Sequence, residues 1–98
     1  MMLVRQVFQA KYGHGDELVA LFREFHANAP VPNRDRARIL TDASGQFFTV
    51  VTEYEVENFA DWEQTFRRLM SGPEMGGWFA RMMDVTEGGR REFYNIES

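Results

Sequence analysis

The chain predicts an α+β domain, strand–helix–strand–strand–helix–strand, with two helices over one face of a four-stranded antiparallel sheet. Three observations predict it. Apolar residues alternate with polar ones along Leu3–Tyr12 and recur in the β-branched and aromatic run Phe47–Val56. Apolar residues return at helical spacing in DELVALFREFHANA and in ENFADWEQTFRRLM. Glycines, prolines and serines punctuate these segments without forming a linker, so 1–98 reads as one domain.

In the first strand, Val4, Phe8, Ala10 and Tyr12 share one face and Arg5, Gln9 and Lys11 the other. GHG breaks it, and Asp16 and Glu17 suit the positive start of a helix whose apolar stripe is Leu18, Leu21, Phe22, Phe25 and Ala29. NAPVPN ends that helix, since each proline disfavours helical geometry in the residue before it. Ile39–Thr41 and Phe47–Val56 form a hairpin turning at Ser44-Gly45. A two-residue loop there sets Arg36 opposite Glu53, Arg34 opposite Glu55, Ile39 opposite Val50 and Thr41 opposite Phe48. A slip of one residue would bring Asp35 against Glu53, and facing like charges oppose pairing. The alternating arginines and glutamates therefore read as the polar face of a ladder. Asn58 caps the second long helix, whose stripe is Phe59, Trp62, Phe66 and Leu69. SGP stops it, Pro73 begins a short third helix held by Trp78, Phe79, Met82 and Met83, and Gly88-Gly89 turn the chain into a last strand, RREFYNIE.

Composition narrows the function. A formal charge of −4 argues against general nucleic-acid binding, which needs clustered cations. The chain has no cysteine, which excludes thiol catalysis, disulfides and thiolate metal sites. No apolar run approaches the roughly 20 residues that span a bilayer, and MMLVRQVF lacks the parts of a secretory signal, so the expected location is cytoplasmic, off the membrane.

Three stretches, YGHGDELVALF, ENFADWEQTF and LMSGPEMGGWFARM, carry a resemblance that spans nearly all of the chain. The sequence resembles the dimeric α/β-barrel superfamily, in which two ferredoxin-like sheets face each other, and within it the NIPSNAP-like and antibiotic-biosynthesis-monooxygenase-like small proteins. For the monooxygenase-like and haem-degrading members, the resemblance implies a polar strand residue (often Asn), a helix Trp and a His near the second helix. Trp62 matches the Trp, Gln6 or Gln9 stands where the Asn would, and no histidine follows His26. The expected base or axial ligand is thus absent.

His14, in a glycine-flanked loop, reads as solvated surface. His26 borders the apolar face of its helix, either closing a helix end or looking into a pocket. The spacing of the two histidines fits no metal site, and no cofactor is expected. Phe22, Phe25, His26, Tyr54, Trp62, Phe66, Trp78 and Phe79 are the candidate lining of a ligand pocket between helices and sheet, or else plain core. His26, Trp62 and Tyr54 are the candidate catalytic groups if the protein is an enzyme. The leading expectation is a homodimer, paired through the uncovered sheet face, that binds a small apolar or aromatic metabolite. The alternatives are a cofactor-independent monooxygenase or isomerase, and a non-catalytic interaction module.

Overall fold

A computed structural model describes residues 1–98. The elements are β1 (Met2–Ala10), α1 (Gly15–Asn28), a 3-10 turn (Arg34–Arg36), β2 (Arg38–Thr41), β3 (Thr49–Val56), α2 (Phe59–Met70), α3 (Met75–Val85) and β4 (Thr86–Asn95). The sheet is antiparallel throughout, in the order β2-β3-β1-β4, which is the ferredoxin-like arrangement. Because side chains alternate along a strand, the central pair β1 and β3 sorts its residues cleanly. Val4, Ala10, Val50, Tyr54 and Val56 are buried on the helix side, and Arg5, Val7, Val51 and Glu53 stand on the other.

On the helix-free side one row of charge crosses all four strands. Arg38 pairs with Glu53, Glu53 with Arg5, and Arg5 with Glu92. The Arg5 Nε donates to Glu53 Oε2 at 2.7 Å, and Arg38 donates to Oε1 of the same carboxylate. Lying under two guanidinium groups, the Glu53 side chain is 1% exposed although no helix covers it. Burial by itself would raise its pKa. The hydrogen bonds and charges of Arg5 and Arg38 outweigh that and hold the carboxyl below the usual range.

The hairpin register expected from the sequence is corrected. Arg38, not Arg36, faces Glu53, and Ile39 faces Thr52 while Thr41 faces Val50. The loop is longer than Ser44-Gly45. Asp42 N–H donates to the Thr49 carbonyl at 3.2 Å, and Thr49 N–H donates to Asp42 Oδ1 at 3.0 Å. Gly45 (φ 94°) and Phe48 (φ 57°) take left-handed backbone within that loop. Phe48 is fixed there by a 4.9 Å edge contact with Tyr12 and by its carbonyl, which accepts from Ala10 N–H at 2.9 Å. The shift is two residues, so the paired residues Arg38–Thr41 keep their expected faces. Arg36 sits in the 3-10 turn and still reaches Glu55 at 2.8 Å. Arg34 does not face Glu55; it donates to the carbonyls of His26 and Ala29 and closes the end of α1.

Three other expectations shift. Tyr12 lies past the end of β1 and is 79% exposed rather than on the inner face. Helix α3 begins at Met75, not at Pro73. Gly88 and Gly89 lie inside β4, which follows α3 directly, beside a bulge between Gln9 and Ala10. Gly89 is there because the strands come close: a Cβ on it would stand 2.6 Å from the Val7 carbonyl oxygen.

Helix α2 is capped as expected. The Asn58 side chain accepts from Asp61 N–H at 2.9 Å, and Asp61 Oδ2 accepts from Glu57 N–H at 2.8 Å. Helix α3, weak at Gly76-Gly77, is pinned to α1 by Trp78, whose indole N–H donates to the Leu21 carbonyl at 2.9 Å, and by an Arg81–Glu24 ion pair. The core has two clusters. Ala10, Leu18, Leu21, Phe22, Val50, Trp78 and Val85 form one; Met2, Val4, Val31, Tyr54 and Val56 form the other, with Trp62 and Phe93 against it. Phe25 packs on both.

A carboxylate whose folded pKa lies below its unfolded value of about 4.3 adds stability above that pH, and the contribution disappears as pH falls through the folded pKa. Urea midpoints of the wild type are expected to fall as the pH drops below about 4.3. In Glu53→Gln the pH 7 stability should drop by about 1 kcal/mol, modest because both arginines are partly solvated, and the acid slope should become shallower. An unchanged acid slope in Glu53→Gln would show that the row contributes nothing.

Candidate functional site

The seam between the two core clusters is not filled. A cavity of about 250 Å³ opens there between the sheet and the three helices. Its apolar wall includes Phe8 from β1, Phe22 and Phe25 from α1, Phe66 and Leu69 from α2, and Trp78, Phe79 and Met82 from α3. Each comes from the inward stripe of its element, which is why one amphipathic pattern per helix suffices to build the wall. Leu21 is committed to α1–α3 packing, whereas Phe25, about one turn further toward the C-terminus, reaches the seam.

The polar groups in this wall are few. Gln6 and Arg91 face each other across β1 and β4, and Gln6 faces Thr52 across β1 and β3, so the three form one row on the inner face. The side chains of Gln6 and Thr52 have no protein hydrogen-bond partner, and no fully buried polar atom is left unpaired, so both groups are reached from the cavity. Tyr54 lies on the same strand face two residues past Thr52. Its hydroxyl oxygen accepts from the Trp62 indole N–H at 3.0 Å, which leaves the phenolic proton to donate elsewhere. Burial raises the Tyr54 pKa, against smaller opposing effects of the Trp62 hydrogen bond and the nearby Arg91 charge, so the phenol is protonated at neutral pH. The Arg91 guanidinium lies over the Trp62 and Phe66 rings, 4.9 and 5.0 Å from their centroids.

His26 is half-buried at the rim. Burial and then the Arg34 charge lower its pKa, which keeps the imidazole neutral at pH 7 and able to accept a proton. His14 lies far along the chain in the turn before α1, 3.0 Å from Glu17, and lines no part of the cavity.

The structure brings Phe22, Phe25, His26, Tyr54, Phe66, Trp78 and Phe79 of the expected set together around one space. Trp62 stands behind Tyr54 instead of in the wall. Sequence reasoning passed over Thr52 and Arg91 as site residues. Thr52 could have been found from strand parity with Val50 and Tyr54. Arg91 could not, because the extra residue that β4 carries opposite Gln9 and Ala10 decides which of Arg90 and Arg91 turns inward. Gln6 occupies the cavity row, whereas Gln9 is on the opposite face and donates to the Phe47 carbonyl at 2.7 Å.

An antiparallel ferredoxin-like sheet, covered by helices on one side and holding a cavity under them, defines the class: the fold of the NIPSNAP-like and antibiotic-biosynthesis-monooxygenase-like small proteins. Solved structures bear this out. A NIPSNAP-like domain protein from Burkholderia xenovorans superposes with a TM-score of 0.86 at 14% identity, over 99% of this chain and 85% of that one. A second NIPSNAP domain protein from the same organism gives 0.80 at 15% identity, over 100% and 96%. SnoaB, a cofactor-independent oxygenase from Streptomyces nogalater, gives 0.66 at 14% identity, over 99% and 93%. No family model and no curated protein matches the chain. At these identities the likeness establishes the fold.

Proposed function

We propose that the protein binds a small, largely apolar or aromatic metabolite in the cavity between helices and sheet. The observation that carries this is the unfilled seam itself, apolar on most sides and equipped with the free polar groups of Gln6, Thr52 and Tyr54. A closed core would have spent that space on packing, and an apolar void about this size favours an occupant. A cavity of about 150 Å³ holds benzene, so 250 Å³ suits one or two rings.

The direct test is calorimetric titration with a neutral two-ring probe, 2-naphthalenemethanol, against the wild type and Thr52→Leu, which puts a larger, wholly apolar side chain into the cavity floor. Binding in the micromolar to sub-millimolar range by the wild type, weakened about tenfold or more by Thr52→Leu, is the expected result. No binding, or equal binding by a folded Thr52→Leu variant, overturns the proposal.

A second reading, a cofactor-independent oxygenase or isomerase, is favoured by one feature: a neutral imidazole at the rim of a cavity that also holds a protonated phenol. His26 would take a proton from an acidic phenolic or enolic substrate, and Tyr54 would donate a hydrogen bond to the oxygen that becomes negative. Oxygen consumption or product formation with a hydroxynaphthalene or anthrone panel, lost in His26→Ala while probe binding persists, is the expected signature. Turnover that survives in His26→Ala removes this role from His26.

The open sheet face supports a third element of the proposal, a homodimer. Leu40, Val51 and Val7 lie side by side in register between the charged row and the strand ends, an apolar strip with no helix over it. A second copy would cover the strip and let the charges of the row set its orientation. Light scattering after size exclusion should return a dimer for the wild type and a monomer for Val51→Arg. A monomeric wild type at micromolar concentration would remove this part of the proposal.

A further inference from the structure

The inner face of the sheet carries one charge that the fold does not use. In the regular ladder, Gln6 faces Arg91 and Val4 faces Phe93, so Arg91 points to the helix side among uncharged neighbours, whereas Arg90 and Glu92 point to the open side and pair with each other at 3.0 Å. Arg5, Arg36, Arg38, Arg67 and Arg81 each hold a carboxylate. Arg91 holds none and donates no hydrogen bond to the protein; its guanidinium carbon lies over the Trp62 and Phe66 rings at the wall of the cavity. A cation–π contact draws on the charge of a guanidinium and leaves its N–H donors unspent. The phenolic proton of Tyr54, whose oxygen accepts from the indole that Arg91 covers, is also unspent. The titratable groups facing this end of the cavity are Arg91, Tyr54 and His26, and none of them is an anion at neutral pH.

We propose that the occupant of the cavity is an aromatic carboxylate of one or two rings, its carboxylate paired with Arg91 and accepting from the Tyr54 hydroxyl, its rings among Phe22, Phe25, Trp78 and Phe79. This rests on the reading of the cavity as a ligand site and adds the charge of the ligand to it. A planar carboxylate matches the fork of a guanidinium, and charge-assisted hydrogen bonds to it are the strong ones. The acid group lies at the Arg91 end, where β4 borders solvent, and the rings lie inward, so the anion need not be stripped of all its water. Arg90, one residue away on the other face, supplies the same charge to the molecule without access to the cavity, which makes it a matched control.

The experiment is a pair of calorimetric titrations, 2-naphthoate against its neutral analogue 2-naphthalenemethanol, on the wild type, Arg91→Gln, Arg91→Lys and Arg90→Gln, with circular dichroism confirming the fold of each. The wild type is expected to prefer the acid by about tenfold or more. Arg91→Gln should abolish that preference while holding the alcohol's affinity, Arg91→Lys should keep part of it, and Arg90→Gln should leave it intact. A wild type that binds both probes equally, or a preference that survives in Arg91→Gln, overturns the assignment and leaves the apolar cavity standing. Failure of the wild type to bind either probe overturns both this inference and the reading of the cavity beneath it. Loss of preference in Arg90→Gln as well would reduce the effect to general surface charge and also overturn the assignment.

Discussion

The carboxylate of Glu53 lies beneath two arginines from two neighbouring strands, and the row it belongs to runs Arg38, Glu53, Arg5, Glu92 across the sheet. Side chains alternate with a period of two, so this row fixes more than its own face. If charges stand on the odd positions of β1 and β3, the even positions must be the inner wall. Val4, Gln6 and Phe8, and likewise Val50, Thr52 and Tyr54, follow from that one assignment. A slip of one residue in either strand would drive Glu53 or Arg5 into the helix layer, where no counter-charge waits, and the cost of burying an unpaired charge far exceeds what a ladder bond contributes. The ion pairs themselves add little energy, being partly solvated; their importance is in the alternatives they exclude.

That constraint explains how much could be read from the sequence. The expected hairpin was displaced by two residues, yet the faces of its paired residues were correct, because parity survives any even shift. What sequence reasoning could not see was the loop. Asp42 closes the hairpin with its side chain, and Phe48 takes a left-handed backbone that propensity rules disfavour for a phenylalanine. Both depend on what Phe48 packs against, namely Tyr12 and the space left by Gly15, where a Cβ would come within 3.1 Å of the Phe48 ring. Those neighbours come from the far end of β1 and are invisible locally. Gly88 and Gly89 misled for the same reason: they look like a turn, but Gly89 answers to the carbonyl of Val7 on another strand.

The site follows the same division. Helical periodicity delivered Phe22, Phe25, Phe66, Trp78 and Phe79 to one layer, since an amphipathic stripe can only face the sheet. Periodicity is silent, however, on whether a stripe fills its space. Here the two stripes that matter most are committed elsewhere. Trp78 is tied through its indole to the Leu21 carbonyl, and Trp62 through its own indole to Tyr54, so neither ring is free to swing into the seam between the clusters. Hydrogen-bonded indoles are stiff where leucines would have repacked, and the cavity is the space that their stiffness leaves.

The same two indoles separate the chemical roles within that space. Trp78 serves the apolar end, in contact with the Phe22, Phe25 and Phe79 rings at 5.2 to 5.6 Å between centroids. Trp62 serves the polar end, where its N–H engages the Tyr54 oxygen and its face receives the Arg91 guanidinium. An indole that donates to a phenol makes the phenolic oxygen a weaker acceptor and its proton a better donor, so the pair presents a donor to the cavity. With a guanidinium beside it, that end of the cavity is lined by donors. A ligand that merely filled the volume would leave those donors unpaired when water is displaced, at a cost of about 1–3 kcal/mol each. Shape therefore selects rings of a certain size, and the donor end selects an oxygen-rich group attached to them, two requirements that a plain hydrocarbon cannot meet together.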